Sequence, residues 1–278
     1  MVCLVPTGSS SREAGVVPVS REVRAALILC LVAGVVVGAA RSEPSGTAVA
    51  TAPEPKSSAR LLSAVPAGDS TAAPVAEVDS VGTRHLTGRE GRTVALTFDD
   101  GPHPDFTPQV LRILRDNEVT ATFCVVGEMA RNQPDLVREI VEQGHTLCDH
   151  TVSHDAKLPS RDESVIEDEI VGALAAIHDA VPDVEVPFYR APGGNFAENV
   201  NAVAGELGQT PLGWSIDPGD WRKPGPRTIH DYVAEAIHPG AVVLLHDGGG
   251  DRSGTVAALP DLIQTLRVAG YEFVVPRT

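Results

Sequence analysis

Adjacent carboxylates, Asp99 and Asp100, close an apolar run and precede Gly101-Pro102. Two such groups repel unless a cation or a proton relieves them, and the turn aims them in different directions. Further along, His150 and His154 stand four apart in HTVSH. Two imidazoles with a carboxylate make a facial set for a divalent ion and leave positions open for water and substrate. Arg190 ends another apolar run, where its guanidinium can pair with a carboxylate and keep that group ionised and oriented. Pro192-Gly193-Gly194 behind it offers accessible backbone N–H groups. Asp217, Asp220-Trp221 and Leu244-Leu245-His246-Asp247 complete the set. A histidine held by a carboxylate is a general acid or base tuned near neutrality. Taken singly, these are a solvated turn, two surface histidines and a structural salt bridge.

Their positions along the chain make them informative together. Short β-branched runs at 93–98, 120–126, 145–149, 186–190, 211–216, 241–246 and 271–275 read as strands. Helical stretches start near Thr107, Pro134, Ser160, Ala197, Thr228 and Thr255, and Gly144, Gly208 and Gly270 close three of them. Strands alternating with helices imply parallel pairing with right-handed crossovers, so the fold class is α/β. The pattern permits an incomplete (β/α) barrel or an open doubly wound sheet. In either, ligands bind at the C-terminal ends of the strands, where TFDDGP, DHTVSH, YRAPGG, SIDPGDW and LLHDGG all fall.

The remaining sequence bounds the setting. Of 278 residues, 22 are Lys or Arg and 37 Asp or Glu, a formal charge of −15. Residues 1–87 hold seven of each sign, so the deficit belongs to 88–278. A surface that acidic repels phosphate backbones, which argues against nucleic acid as a partner. Residues 25–40, AALILCLVAGVVVGAA, carry no charge and follow Arg21 and Arg24. The run is short for a span of ~20 residues, so export by a signal peptide cleaved after Ala40 and retention as an N-terminal membrane anchor both stay open. Residues 41–87, rich in Ala, Pro, Ser and Thr, read as a disordered linker. A folded domain over 88–278 follows, expected as a monomer outside the cell or on the outer face of the membrane. Cys124 and Cys148 fall on the second and third strands, neighbours in a barrel. In an exported domain that favours a disulfide over two packed thiols. His145 reads as a packed strand residue, and His85, His103, His178, His230 and His238 as surface or helix positions without function.

The five clusters, in this order, resemble the polysaccharide deacetylase family, the NodB homology domain or carbohydrate esterase family 4, over 88–278. The resemblance implies a distorted, incomplete (β/α)7 barrel with parallel strands. It makes Asp99 the general base, Asp100, His150 and His154 the metal ligands, and Arg190 the residue that orients the base. It makes His246, held by Asp220, the general acid, the Gly193 N–H an oxyanion donor, and Trp221 and Leu244 the walls of the acetyl pocket. The implied cofactor is a divalent ion, most simply Zn²⁺, and the reaction is metal-assisted removal of an acetyl group. An acetylated glycan is the implied substrate: N-acetylglucosamine of peptidoglycan first, chitin-type oligomers second, acetyl xylan third. One departure stands out, because Gly193 occupies the place of the family's usual aromatic residue. Asp149 stands where the family often has Asn, which would add negative charge near the metal. A silent wall-binding module is the rival from another class, but it should lack the base, a ligand or the acid. A metallopeptidase would carry an HExxH helix, which this chain lacks.

Overall fold

The computed structural model describes residues 78–278. The apolar run 25–40, its lead and residues 41–77 lie outside the described residues. Strands β1 (Thr93–Gly101), β2 (Thr122–Val125), β3 (Thr146–Asp149), β4 (Phe188–Tyr189), β5 (Thr210–Pro211), β6 (Ala241–His246) and β7 (Glu272–Phe273) form one sheet. Between them run helices α1 (Thr107–Asp116), α2 (Gly127–Asn132), α3 (Pro134–Glu142), α4 (Glu163–Ala180), α5 (Glu198–Glu206), α6 (Pro226–Ala236) and α7 (Ser253–Val268). All strand pairs are parallel, in the order β5-β4-β3-β2-β1-β6, with β7 on β1. An isolated parallel bridge between Ile216 and Val243 brings the segment after β5 to β6 without a continuous ladder. The result is the incomplete barrel rather than the open sheet.

Alternation along the strands sorts side chains into two layers. Val94, Leu96, Phe98, Phe123, Val125, Leu147, Val243 and Leu245 join the large cluster beneath the helices. Ala95, Cys124, Cys148, Phe188, Leu212 and Val242 form a smaller cluster inside the sheet. Thr97, Asp99, His150, Arg190, Leu244 and His246 are in step with that inner set and lie nearer the C-terminal ends. The barrel interior is therefore apolar below and polar at the rim. Cys124 and Cys148 are direct register partners with Cα atoms 4.2 Å apart and are joined in a disulfide.

Several expected boundaries shift for physical reasons. The fifth strand, expected over 211–216, keeps only Thr210–Pro211 in its ladder. The Leu212 N–H still reaches the Tyr189 carbonyl, but the Gly213 N–H turns to a different partner. That partner is the segment from Val78 to Thr87, expected to be linker. Arg84 bridges Leu212, Leu86 bridges Ala241, and Thr83 and Thr87 are fully buried. The helix expected from Ser160 begins instead at Glu163, after a 3-10 turn over Leu158–Ser160. Helix α2 was not apparent in the sequence, since six residues are too few to show a period.

Candidate active site

The β1 ladder with β2 slips between Asp99 and Gly101. One extra residue bends a strand and re-aims its side chains, and Asp100 at that point takes a φ of 70°. Two consecutive carboxylates that would face opposite layers thus both reach the rim. Asp99 is buried and its Oδ1 accepts from Arg190 Nη1 at 2.7 Å. Arg190 is fully buried, and all three guanidinium nitrogens donate. Nη1 also reaches Thr97 Oγ1 at 2.8 Å, Nε the Leu212 carbonyl at 2.8 Å and Nη2 the Gly213 carbonyl at 3.1 Å. A buried ion pair with all three nitrogens engaged fixes orientation, and removing one partner typically costs about 3–5 kcal/mol.

Asp100 faces the two histidines. Its Oδ1 lies 3.5 Å from His150 Nε2 and 3.2 Å from His154 Nε2, and the three donor atoms lie within 4.8 Å of one another. HTVSH is a loop rather than a helical turn: Thr151 and His154 take φ values of 62° and 58°, which carries His154 back over Asp100. His150 Nδ1 donates to the Arg190 carbonyl at 2.8 Å, leaving the Nε2 lone pair turned to Asp100. Asp100 Oδ1 is itself buried without a hydrogen-bond partner. An orphaned carboxylate oxygen with two imidazole nitrogens turned toward it suits a divalent cation, so the residues fit the implied metal. Burial works against the Asp100 charge, but His150 beside it, then His246 and His154, hold its carboxyl well below the usual range. His154 is lowered by burial and by the charge of His150. Burial also pulls His150 down, yet Asp99 and Asp100 outweigh it and raise that ring.

On the neighbouring strand, His246 is the register partner of Asp99. Its Nδ1 donates to Asp220 Oδ1 at 2.7 Å, and its backbone N–H to Asp220 Oδ2 at 2.9 Å. Burial depresses the imidazolium, but the Asp220 contact and charge, reinforced by Asp99 and Asp100, raise its pKa above the ordinary value. Gly193 lies in a 3-10 turn over Pro192–Gly194 with a φ of 63°. Leu244 is buried on the inner face, two residues before His246. Trp221 is 45 % exposed, with the Arg222 guanidinium 4.3 Å from its ring centroid.

Other candidates separate from this group. Asp217 accepts from the Gly219 N–H at 2.7 Å and shapes the turn before Asp220. Asp149 is in step with the outer layer and accepts from the Thr151 N–H, and burial pushes its carboxyl up to about 7. His145 is buried as expected, whereas His85, expected on the surface, is bonded to Asp79 and to the Trp214 carbonyl. Two supporting threonines had no signal in the sequence. Thr97 holds Arg190. Thr255, at the start of α7, donates to Asp220 Oδ2 at 2.7 Å. Fully buried Asp247 accepts from Thr107 Oγ1, and burial pushes its carboxyl up to about 7. No spacing rule distinguishes such hydroxyls from ordinary helix and strand threonines.

The polysaccharide deacetylase family model matches residues 87–212. A chitooligosaccharide deacetylase of Sinorhizobium fredii is 38% identical over 205 residues, 70% of this chain and 95% of the relative. The chain belongs to the polysaccharide deacetylase family. A peptidoglycan-N-acetylglucosamine deacetylase of Bacillus cereus is 40% identical over 185 residues, 66% of this chain and 85% of the relative. Among solved structures, the Bc1960 peptidoglycan N-acetylglucosamine deacetylase superposes with a TM-score of 0.66 at 33% identity, covering 69% of this chain and 89% of that one. This polysaccharide deacetylase thus has the (β/α)7 architecture of its relatives, and the site described above is its candidate catalytic centre.

Proposed function

We propose that this deacetylase removes N-acetyl groups from N-acetylglucosamine in peptidoglycan, outside the cytoplasm, with zinc as its metal. The observation that carries the reading is the juxtaposition of a base fixed by Arg190, an Asp-His-His donor set and a carboxylate-held histidine on adjoining strands. Asp100, His150 and His154 would hold the ion. When bound, a divalent ion supplies Lewis-acid polarisation of the acetyl carbonyl and acidifies water.

The protein's own groups do the rest. Asp99, with one oxygen occupied by Arg190, has Oδ2 left to take the proton of the attacking water. The Gly193 N–H donates to the oxygen that becomes negative as the carbonyl carbon turns tetrahedral, a contribution of ~3–4 kcal/mol for one good donor. His246, kept protonated by Asp220, gives its proton to the leaving amine. Leu244 limits the space for the acetyl methyl, and Trp221 offers a flat face beside Asp220 for a sugar ring. The uncharged run 25–40 supports export or anchoring.

Chitooligosaccharides are the second reading, favoured by the relative in Sinorhizobium fredii. The zinc-loaded protein should release acetate from peptidoglycan faster than from chitooligosaccharides or acetyl xylan. No acetate from any of the three would overturn the function, and a preference for chitooligosaccharides would replace the substrate.

A further inference from the structure

We propose that residues 79–86 form a strap that positions the catalytic base, with His85 as its main positioning residue. The strap precedes the segment matched by the family model, which begins at residue 87. The inference rests on Asp99 acting as base and on Arg190 fixing it.

Arg190 is aimed by two backbone carbonyls, those of Leu212 and Gly213. β5 ends at Pro211, and the stretch that carries them meets the sheet at Leu212 and then again at Ser215 and Ile216, whose N–H groups bond the Val242 carbonyl. Leu212 keeps one tie to the sheet, its N–H to the Tyr189 carbonyl at 2.7 Å. The strap supplies the neighbouring ties. Arg84 N–H donates to the Pro211 carbonyl at 2.9 Å, and the Arg84 carbonyl accepts from Gly213 N–H at 2.7 Å. His85 Nδ1 bonds the Trp214 carbonyl at 3.1 Å, and its Nε2 bonds Asp79 Oδ2 at 3.0 Å. The Trp214 carbonyl only accepts, so Nδ1 donates to it.

The strap is built to hold this place. Asp79 Oδ1 accepts from the N–H groups of Val81 and Thr83 at 3.0 and 2.9 Å, closing the turn that presents His85. Asn201 of α5 anchors the other side through the Val81 carbonyl at 2.8 Å and Thr83 Oγ1 at 3.1 Å. The contact at the centre is close enough to dictate residue type: a Cβ on Gly213 would lie 2.6 Å from His85 Nδ1. His85 touches no reacting atom: its side chain holds the Trp214 carbonyl, next in the chain to the Gly213 carbonyl that Arg190 uses, while the Arg84 backbone holds Pro211 and Gly213 on either side of Leu212. A displacement of about 1 Å at a catalytic group can cost on the order of 100-fold in rate.

The test uses the full chain, zinc-loaded, with acetate release and amide hydrogen exchange as separate readouts. His85→Ala should lower kcat roughly 10-fold or more, with KM within about twofold and zinc content unchanged. Amide exchange at Gly213 should speed up, and His85→Gln, which keeps a donor for the Trp214 carbonyl, should recover most of the rate. If His85→Ala fails to fold, Asp79→Asn should show the same kcat loss in milder form. Wild-type kcat and unchanged Gly213 exchange in a folded variant overturn the strap. Equal loss in the Ala and Gln variants together with lost zinc also overturns it, as general destabilisation. If the wild-type protein releases no acetate, the proposed function fails, and Gly213 exchange still decides whether the strap holds the segment.

Discussion

Asp99 and Asp100 are chemically identical, and only their partners divide the labour between them. Asp99→Asn should retain zinc while turnover falls about 10²–10⁴-fold, because an amide cannot take the proton. Zinc loss from this variant, with retention in Asp100→Asn, would exchange the two roles. His246 must be protonated to act as acid, so activity is lost as pH rises through its pKa. Its raised value extends the active range upward. Replacing Asp220 by Asn removes the largest raising influence, so the alkaline limb of the kcat–pH profile should move to lower pH. An unmoved limb would mean that another group holds the histidine. At Gly193 the left-handed φ of 63° decides between two outcomes that the sequence left open. Gly193→Ala should lose activity, since a Cβ in that region costs about 1–2 kcal/mol. Gly193→Asn should retain more, because asparagine tolerates the conformation.

At the scale of elements, the strands were legible from their apolar runs, and β1 and β6 show why. Their inner residues alternate with outer ones in period two as far as Asp99 and His246, which are register partners near the C-terminal ends. β4, β5 and β7 keep only two residues each, and after β5 the Gly213 N–H goes to the Arg84 carbonyl, a partner that no local pattern reveals. Pairing of β2 with β3 places Cys124 opposite Cys148. The disulfide closes a sequence separation of 24 residues. Chain-entropy reasoning then assigns it about 3 kcal/mol. Replacing both cysteines by alanine should lower the thermal midpoint by roughly 6–12 °C for a domain of this size. A calorimetric shift below a degree or two would show that packing between the strands makes the bond redundant.

Among the described residues, the apolar cluster beneath the helices draws on β1, β2, β3 and β6 and on α1, α3, α4, α6 and α7, whereas the proposed metal ligands sit on one rim. Metal and fold should therefore separate. Chelation should abolish acetate release, leave the circular dichroism native and lower the melting temperature only by the binding linkage. His150→Ala and His154→Ala should behave like the chelated protein. Collapse of the dichroism on chelation would make the ion structural. The sequence by itself determined the fold class, the order of the clusters and the residue types that do the chemistry, because strand period and motif spacing are local properties. It also supplied the resemblance that assigns Asp99, Asp100, His150, His154, Arg190 and His246 their roles. Tertiary structure alone decided that Asp149 faces the helices, that Gly193 is left-handed, that Thr97 and Thr255 support the charged residues, and that residues 78–87 pack as part of the domain. Each of these depends on which distant carbonyl or carboxylate a group meets, and chain spacing carries no record of contacts made across the barrel.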